Sequence, residues 1–289
     1  MAENARNIET DFDVLLQLTA RIIEAQAGRA IAPGEEWKND AQVLAHKLFK
    51  QAHSARRLLA PGAILMPDGS SVDAIDHTSV IILARACIEG FITLHWIFQN
   101  ENDDLRRFRH KLWKLGGLLD RAKLHPATDE AREKAQSAQA QATRLIEEIR
   151  GSALLSMYSE KQIQNVLKGK WREGWQWRTE AIRAGFHPKY FDNVYSHYSG
   201  YAHSNWISTM QIREAVDLEA QYRLGRAAIQ VIVHILAKFV HFYVMLFDTA
   251  SSAFETARPN SRATARHWNI EADDLDRFYR TEEKNTPRQ

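Results

Sequence analysis

The sequence predicts an all-α fold, a multi-helix bundle with a long helical-hairpin excursion, and three observations carry that prediction. Apolar residues recur at helical rather than strand spacing along almost the whole chain. Only seven prolines and thirteen glycines punctuate 289 residues, so long uninterrupted elements are allowed. No stretch alternates with period two between turn residues, and Asp68-Gly69 follows Pro67 in what reads as a loop rather than a hairpin.

The first helix is predicted from about Thr10 to Ala27, with Phe12, Leu15, Leu16, Leu18, Ile22 and Ile23 on one face. A second runs from about Pro33 to Leu59 and carries Val43, Leu44, Leu48 and Phe49. Ala60 to Ser71 reads as a loop by its Pro and Gly content. A third helix, about Val72 to Gln99, is the most apolar, with Asp73 as its N-cap and Asp76 in its first turn. Two antiparallel arms joined at His125-Pro126 form the excursion over about 105–155. Ser159 to Gln162 is a capping box opening a short helix, and a basic, aromatic loop follows from Leu167 to Arg178. Pro188 starts another helix that reaches about His203, and a last long helix spans about Leu218 to Glu255. The domain reading is an N-terminal helix over 1–40 packing on the bundle, the bundle over 41–256, and a polar C-terminal tail over 257–289.

Composition narrows the function classes. Hydrophobic residues at 45% and charged residues at 26% describe a globular chain. A formal net charge of +2 excludes a strong whole-molecule attraction to nucleic acid or membrane, so such binding needs a local patch. The single cysteine, Cys87, excludes an intrachain disulfide and favours a reducing compartment. No apolar h-region follows the N-terminus, so no secretory signal is expected. Ala227 to Phe247 has the length of a membrane span, yet His234, Lys238 and His241 interrupt it and mid-membrane charge is costly. A buried core helix in a cytoplasmic protein is the expectation, with no membrane partner.

Two constellations could carry chemistry. From Val80 to Phe98 the third helix (VIILARACIEGFITLHWIF) is apolar nearly all round, yet it holds Arg85 and Glu89 four residues apart. Buried charges need partners, and Arg before Glu is the weaker i,i+4 order, so partners on another helix are expected. In the Pro188 helix, Tyr195, Ser199 and His203 share a face. Glu89 is expected to accept a hydrogen bond from His203 and orient its ring, and carboxylate, imidazole and hydroxyl together could do acid–base chemistry. The same groups could equally form a structural polar core that buries His203. A third reading is a small-molecule pocket lined by Trp96, Tyr195, Tyr198 and Tyr201.

The segments LARACIEGFITLHWIF and YFDNVYSHYSGYAHSNW resemble the two signature blocks of a helical bacterial family of unknown function, an Arg-x-x-x-Glu helix and a Tyr/Ser-rich block ending in His. Arg85 and Glu89 match the first block, and Tyr198, Ser199 and His203 the second. WREGWQWRTEAIRAGFHPKYF resembles the family's lead-in, and the likeness spans roughly residues 40 to 250. The chain is more distantly similar to HEPN-type bundles of prokaryotic toxin and defence systems, whose ribonucleases use an Arg and a His. Here Arg85 would have to supply the arginine from another helix; Arg262 to His267 (RATARH) fits the spacing only within the polar tail.

The resulting expectation is a metal-independent, HEPN-like ribonuclease with Arg85, Glu89, Ser199 and His203 as catalytic residues. Arg85 would stabilise phosphate charge and His203 act as acid or base. Substrate contacts are expected from Tyr198 and from Lys170, Trp171, Arg172 and Trp175, where cations track phosphate and indoles stack on bases. RNA, a protein partner or a second copy of the chain are the partners considered. Metal and cofactor are not expected, because no ligand spacing or cofactor motif is present. The alternative is a non-catalytic scaffold or regulatory protein whose Arg85, Glu89 and His203 form the polar core.

Overall fold

A computed structural model describes residues 6–279. In chain order it contains α1 (Ile8–Gln26), α2 (Asn39–Leu58), β1 (Gly62–Leu65), β2 (Ser71–Ala74), α3 (His77–Phe98), α4 (Asp103–Ala122), α5 (Asp129–Arg150), α6 (Glu160–Leu167), α7 (Trp177–Arg183), α8 (Pro188–Ala202), α9 (Trp206–Glu214), α10 (Leu218–Leu246), α11 (Asp248–Glu255), α12 (Pro259–Trp268) and α13 (Ala272–Tyr279). The all-α class is as the periodicity predicts: among the described residues one two-stranded sheet accompanies thirteen α-helices. The chain divides into two compact units, residues 94–180 and the remainder.

In the larger unit α10 is the centre. It packs against α1, α2, α11 and α12, and almost every residue from Ala228 to Val240 is buried. A helix apolar on all sides must be surrounded, and these neighbours do so. By length and composition α3 and α10 could each cross a membrane, but 72% of the most apolar window of α10 is buried in the fold, against 56% for α3. Asn7 caps α1 by accepting from the amides of Glu9 and Thr10, and Phe12, Leu15, Leu18, Ile22 and Ile23 form its buried stripe. On α2 the buried stripe is Ala41, Ala45, Leu48, Ala52 and Ala55, whereas Val43 is exposed. Small side chains there let α10 approach so closely that a Cβ on Gly225 would lie 2.7 Å from Leu59.

Four expectations change. Asp68-Gly69 does join two strands: the Gly69 amide bonds the Met66 carbonyl at 3.0 Å, and Gly69 is left-handed (φ 85°). Pro67 and Asp68 make the type I turn and Gly69 the bulge, a three-residue hairpin loop that the Pro-Asp-Gly run favours. Consequently Asp73 lies in β2, and α3 is capped by Asp76, which accepts from the Ser79 amide at 3.0 Å. The last long helix stops at Leu246, where Phe247 turns extended (φ −137°), and α11 starts afresh. The segment expected as a polar tail carries α12 and α13. Trp268 is buried there, its indole N–H donating to Asp11 of α1 at 2.8 Å. The part of that tail from 280 to 289 lies outside the described residues.

The smaller unit is built on the helical hairpin. Asn102 and Thr128 cap α4 and α5, and the two helices pack on each other. With Val166 of α6 they enclose Phe108, Leu112, Leu115, Ala142, Leu145 and Ile149. The capping box at Ser159 and Gln162 forms as predicted, with both of its reciprocal bonds present.

Two ionisable groups sit inside the α10 core. His234 is 3% exposed and donates from Nε2 to the Ile270 carbonyl at 2.9 Å. Lys238 is 4% exposed and pairs with Glu271 at 3.1 Å. Burial first, and the Lys238 charge second, push the His234 pKa down to about 4. The unfolded chain therefore takes up this proton near pH 6.5 and the native protein only near pH 4. Stability is full above that window and falls as pH drops through it, by on the order of 3 kcal/mol for this group. His234→Gln keeps a donor without a titrating ring, so its unfolding free energy in urea should fall less steeply than the wild type's between pH 6.5 and 4.5.

Candidate functional site

Arg85 and Glu89 lie on successive turns of α3, and the partners that the charge pattern calls for come from α8. Three edge-on ring contacts hold this region: Phe91 to Phe186 and to Phe242, and Phe186 to Phe191, with centroids 6.1 to 6.3 Å apart. Phe191 in turn stacks on Tyr195 at 5.0 Å. That stack brings the Tyr195 hydroxyl within 3.0 Å of Glu89 Oε1, to which it donates. Glu89 Oε1 also accepts from Arg85 Nε at 2.9 Å, and the guanidinium lies 5.4 Å from the Tyr195 ring centroid.

Holding the arginine through Nε turns its terminal nitrogens outward. Arg85 Nη1 is 3.4 Å from His203 Nε2, and since a guanidinium only donates, Nε2 is the acceptor and the proton belongs on Nδ1. The contact differs from the one expected: Arg85, not Glu89, meets His203. His203 is exposed, and the Arg85 and Glu89 side chains keep 18% and 31% of their surface in solvent. The cluster is therefore an open one, not a network that buries His203.

Charge and burial compete across the group. Burial works against the Arg85 cation, but the Tyr195 hydrogen bond and the Glu89 carboxylate outweigh it and hold its pKa above the ordinary value. Burial, and then the Glu89 charge, push Tyr195 up to about 12, so it remains a hydrogen-bond donor at neutral pH.

His203 is held by the way α8 ends. The Asn205 amide bonds the Gly200 carbonyl at 2.9 Å and the Ser204 amide reaches Tyr201 at 3.4 Å, a Schellman closure. Ser204 takes the left-handed position (φ 52°) that Gly or Asn usually fills. Asn205 then caps α9 by accepting from the Ser208 amide, and a Cβ on Gly200 would lie 2.4 Å from the Asn205 side-chain nitrogen Nδ2. Gly200 thus makes room for the side chain that closes its own turn.

The remaining predicted site residues are distributed unevenly. Ser199 donates to the Tyr195 carbonyl at 2.6 Å, so its hydroxyl proton is engaged within α8. Tyr198 is 5% exposed, its pKa raised by burial, and cannot offer its ring to a substrate; Tyr195 takes that place at the cluster. Tyr201 is also buried and donates to Gln211, which leaves it a packing residue rather than a pocket wall. Helical spacing already put Tyr195 on the face of Ser199 and His203, and that signal outranks the adjacency of Tyr198 to Ser199. Arg262 lies on α12 and pairs with Glu255 at 3.1 Å. Among the described residues no group of three His, Cys, Asp or Glu could hold a metal ion.

Lys170, Trp171, Arg172 and Trp175 belong to the smaller unit and form a cluster of their own. Trp171 and Trp175 are 5.2 Å apart, Trp177 is 4.6 Å from Trp175, and Trp96 is 5.4 Å from Trp171. Arg172 lies over three of these rings, and Lys170 is exposed.

These features define an all-α protein with an open Arg–Glu–Tyr–His cluster on one unit and a tryptophan cluster on the other. The chain belongs to the family of unknown function DUF5677, which it matches over residues 63–217, more than half its length. Both clusters fall inside that match. No curated protein and no solved structure matches the chain.

Two outcomes follow from the geometry. Because Arg85 keeps solvent and a second neighbour, Glu89→Ala should cost about 1 kcal/mol in urea unfolding, not the several kcal/mol of a stranded buried cation. Ser204→Gly relieves a left-handed serine and should raise stability by about 1 kcal/mol in the same measurement.

Proposed function

We propose that the open cluster is a phosphodiester-cleaving site, and that the chain is a metal-independent ribonuclease similar in its Arg and His groups to HEPN bundles. The observation that carries the proposal is the solvent-exposed contact of Arg85 Nη1 with His203 Nε2 at 3.4 Å. A base and a fixed cation meet there at a spacing that one phosphate oxygen can bridge. A fixed cation beside a base favours an anionic transition state over the empty site.

In this reading His203 Nε2 takes the proton of a ribose 2′-hydroxyl while the 2′ oxygen attacks the adjacent phosphorus. The bond from phosphorus to the 5′ oxygen breaks, that oxygen takes a proton from solvent, and a 2′,3′-cyclic phosphate forms. Arg85 meets the charge that builds on the non-bridging oxygens. Glu89 and Tyr195 are positioning residues: they hold Nε and leave the outer nitrogens for the substrate. Ser199 supports the Tyr195 backbone rather than attacking. A cytoplasmic toxin or defence setting and self-association belong to the same proposal.

The test is cleavage of single-stranded RNA by the purified chain in EDTA. Wild type should cleave, and His203→Ala should lose activity by about 10²-fold or more while keeping its melting temperature, since the ring is exposed. Tyr195→Phe should cost less, because it releases Glu89 without removing a reacting group. Absence of cleavage of any RNA by wild type overturns the proposal and leaves the scaffold reading, in which the cluster only joins α3 to α8.

A further inference from the structure

The loop between α6 and α7 is folded tightly, and its residues do not behave as solvated side chains. Its backbone turns on itself through bonds from Lys170 to Asn165, Glu173 to Lys170 and Trp175 to Arg172, all at 3.0 Å. Gly169 (φ 88°) and Gly174 (φ 73°) supply the left-handed steps that those turns need. Trp171 is seated where Gly116 of α4 leaves room: a Cβ there would lie 2.5 Å from Trp171 Cδ1. The result is a packed row of indoles, Trp96, Trp171, Trp175 and Trp177, closed at one end by Arg109, which donates to the Trp96 carbonyl at 2.9 Å and lies 5.3 Å from its ring.

The indoles pack on one another at tilts of 41° to 55° and none of the four is fully exposed, so they are not the open stacking surfaces expected of Trp171 and Trp175. The group that reaches solvent is Arg172. Its guanidinium is 5.3, 5.8 and 5.5 Å from the centroids of Trp171, Trp175 and Trp177, and the residue is exposed. Three rings within 6 Å restrain the cation, while the residue as a whole keeps its exposure to solvent. A guanidinium plane stacks on an unpaired base, as an aromatic ring does. Around it, Lys168, Lys170 and Arg178 are exposed, and Glu173 is the one acid between Lys168 and Arg178. Among the described residues no ion pair engages Lys168 or Lys170.

We propose that Arg172, backed by the three tryptophans, is a base-stacking platform for single-stranded RNA, with Lys168 and Lys170 tracking the phosphates beside it. It rests on the RNA-directed reading above and names the substrate class as unpaired RNA, because a duplex hides its base faces. Preorganisation is the reason to expect useful affinity, since the side chain is already ordered before the base arrives.

The experiment measures binding of a fluorescein-labelled twelve-nucleotide single-stranded RNA, and of the same strand in a duplex, to the full chain carrying His203→Ala. The single strand should bind more tightly than the duplex and quench tryptophan fluorescence. Arg172→Ala should weaken single-strand binding roughly 5- to 100-fold, the range of one lost stacking contact. Arg172→Lys keeps the charge and the stem, so the fold is retained even if alanine loosens the loop, and it should still lose most of that affinity for want of a planar face. The Lys168→Ala, Lys170→Ala pair should reduce the slope of log affinity against log salt by about 1.4. Wild-type affinity in Arg172→Lys, equal binding of duplex and single strand, or no binding of either would overturn the platform. Binding here together with no cleavage by protein that keeps His203 would instead leave the platform and sink the ribonuclease, and cleavage by Arg172→Lys with His203 intact at the wild-type rate would do the reverse.

Discussion

The larger unit depends on one constraint, that α10 is apolar nearly all round from Ala228 to Val240 and must be covered there. Covering it takes α1, α2, α11 and α12, drawn from both ends of the chain. The same demand explains why a sequence as polar as the last helices folds back at all: Trp268 has a buried carboxylate, Asp11, to satisfy its indole. It also explains Gly185, which has φ +82° and no room for a Cβ beside Glu271 and Lys238. A lysine buried on α10 itself is tolerable only because Glu271 reaches it, and that carboxylate needs the space a side chain at 185 would take.

Much of this was legible beforehand. Periodicity located α1, the hairpin helices α4 and α5, and α8, because each carries its own cap and its own apolar stripe. The misplacement of charge in α3 was also readable: Arg85 ahead of Glu89 is a weak pair within one helix, and the missing partners are Tyr195 and His203 of α8. The two strands are four residues each and exposed at nearly every position, so they carry no alternation to read, and the hairpin hung on the turn signal of Pro67-Asp68-Gly69. The helices after 257 were hidden for another reason. They are held by contacts distant in sequence, 36 residues back at His234 and Ile270 and 257 at Asp11 and Trp268, which no local window contains.

The two clusters use aromatic rings differently. At the first, Tyr195 is a donor and a wall: its hydroxyl steadies Glu89 while its ring backs Arg85, so one residue both tethers and shields the cation's support. At the second, the indoles are a foundation, and the arginine is the part that faces out. In both, an arginine is fixed through one portion of its guanidinium so that another portion is presented. This is a use that lysine, a point charge on a flexible stem, could not serve.

The end of α8 has a consequence for how the surface cluster tolerates change. His203 is the residue at which the helix stops, its amide tied to Ser199 and its successor locked in the left-handed turn. The backbone therefore gives the imidazole no travel, and its sweep is limited to two side-chain torsions about a stationary Cα. Inserting or deleting one residue of α8 between Ser199 and His203 would swing that Cα around the helix axis by about 100°. The ring would then face another quarter of the surface, with every residue of the cluster still present.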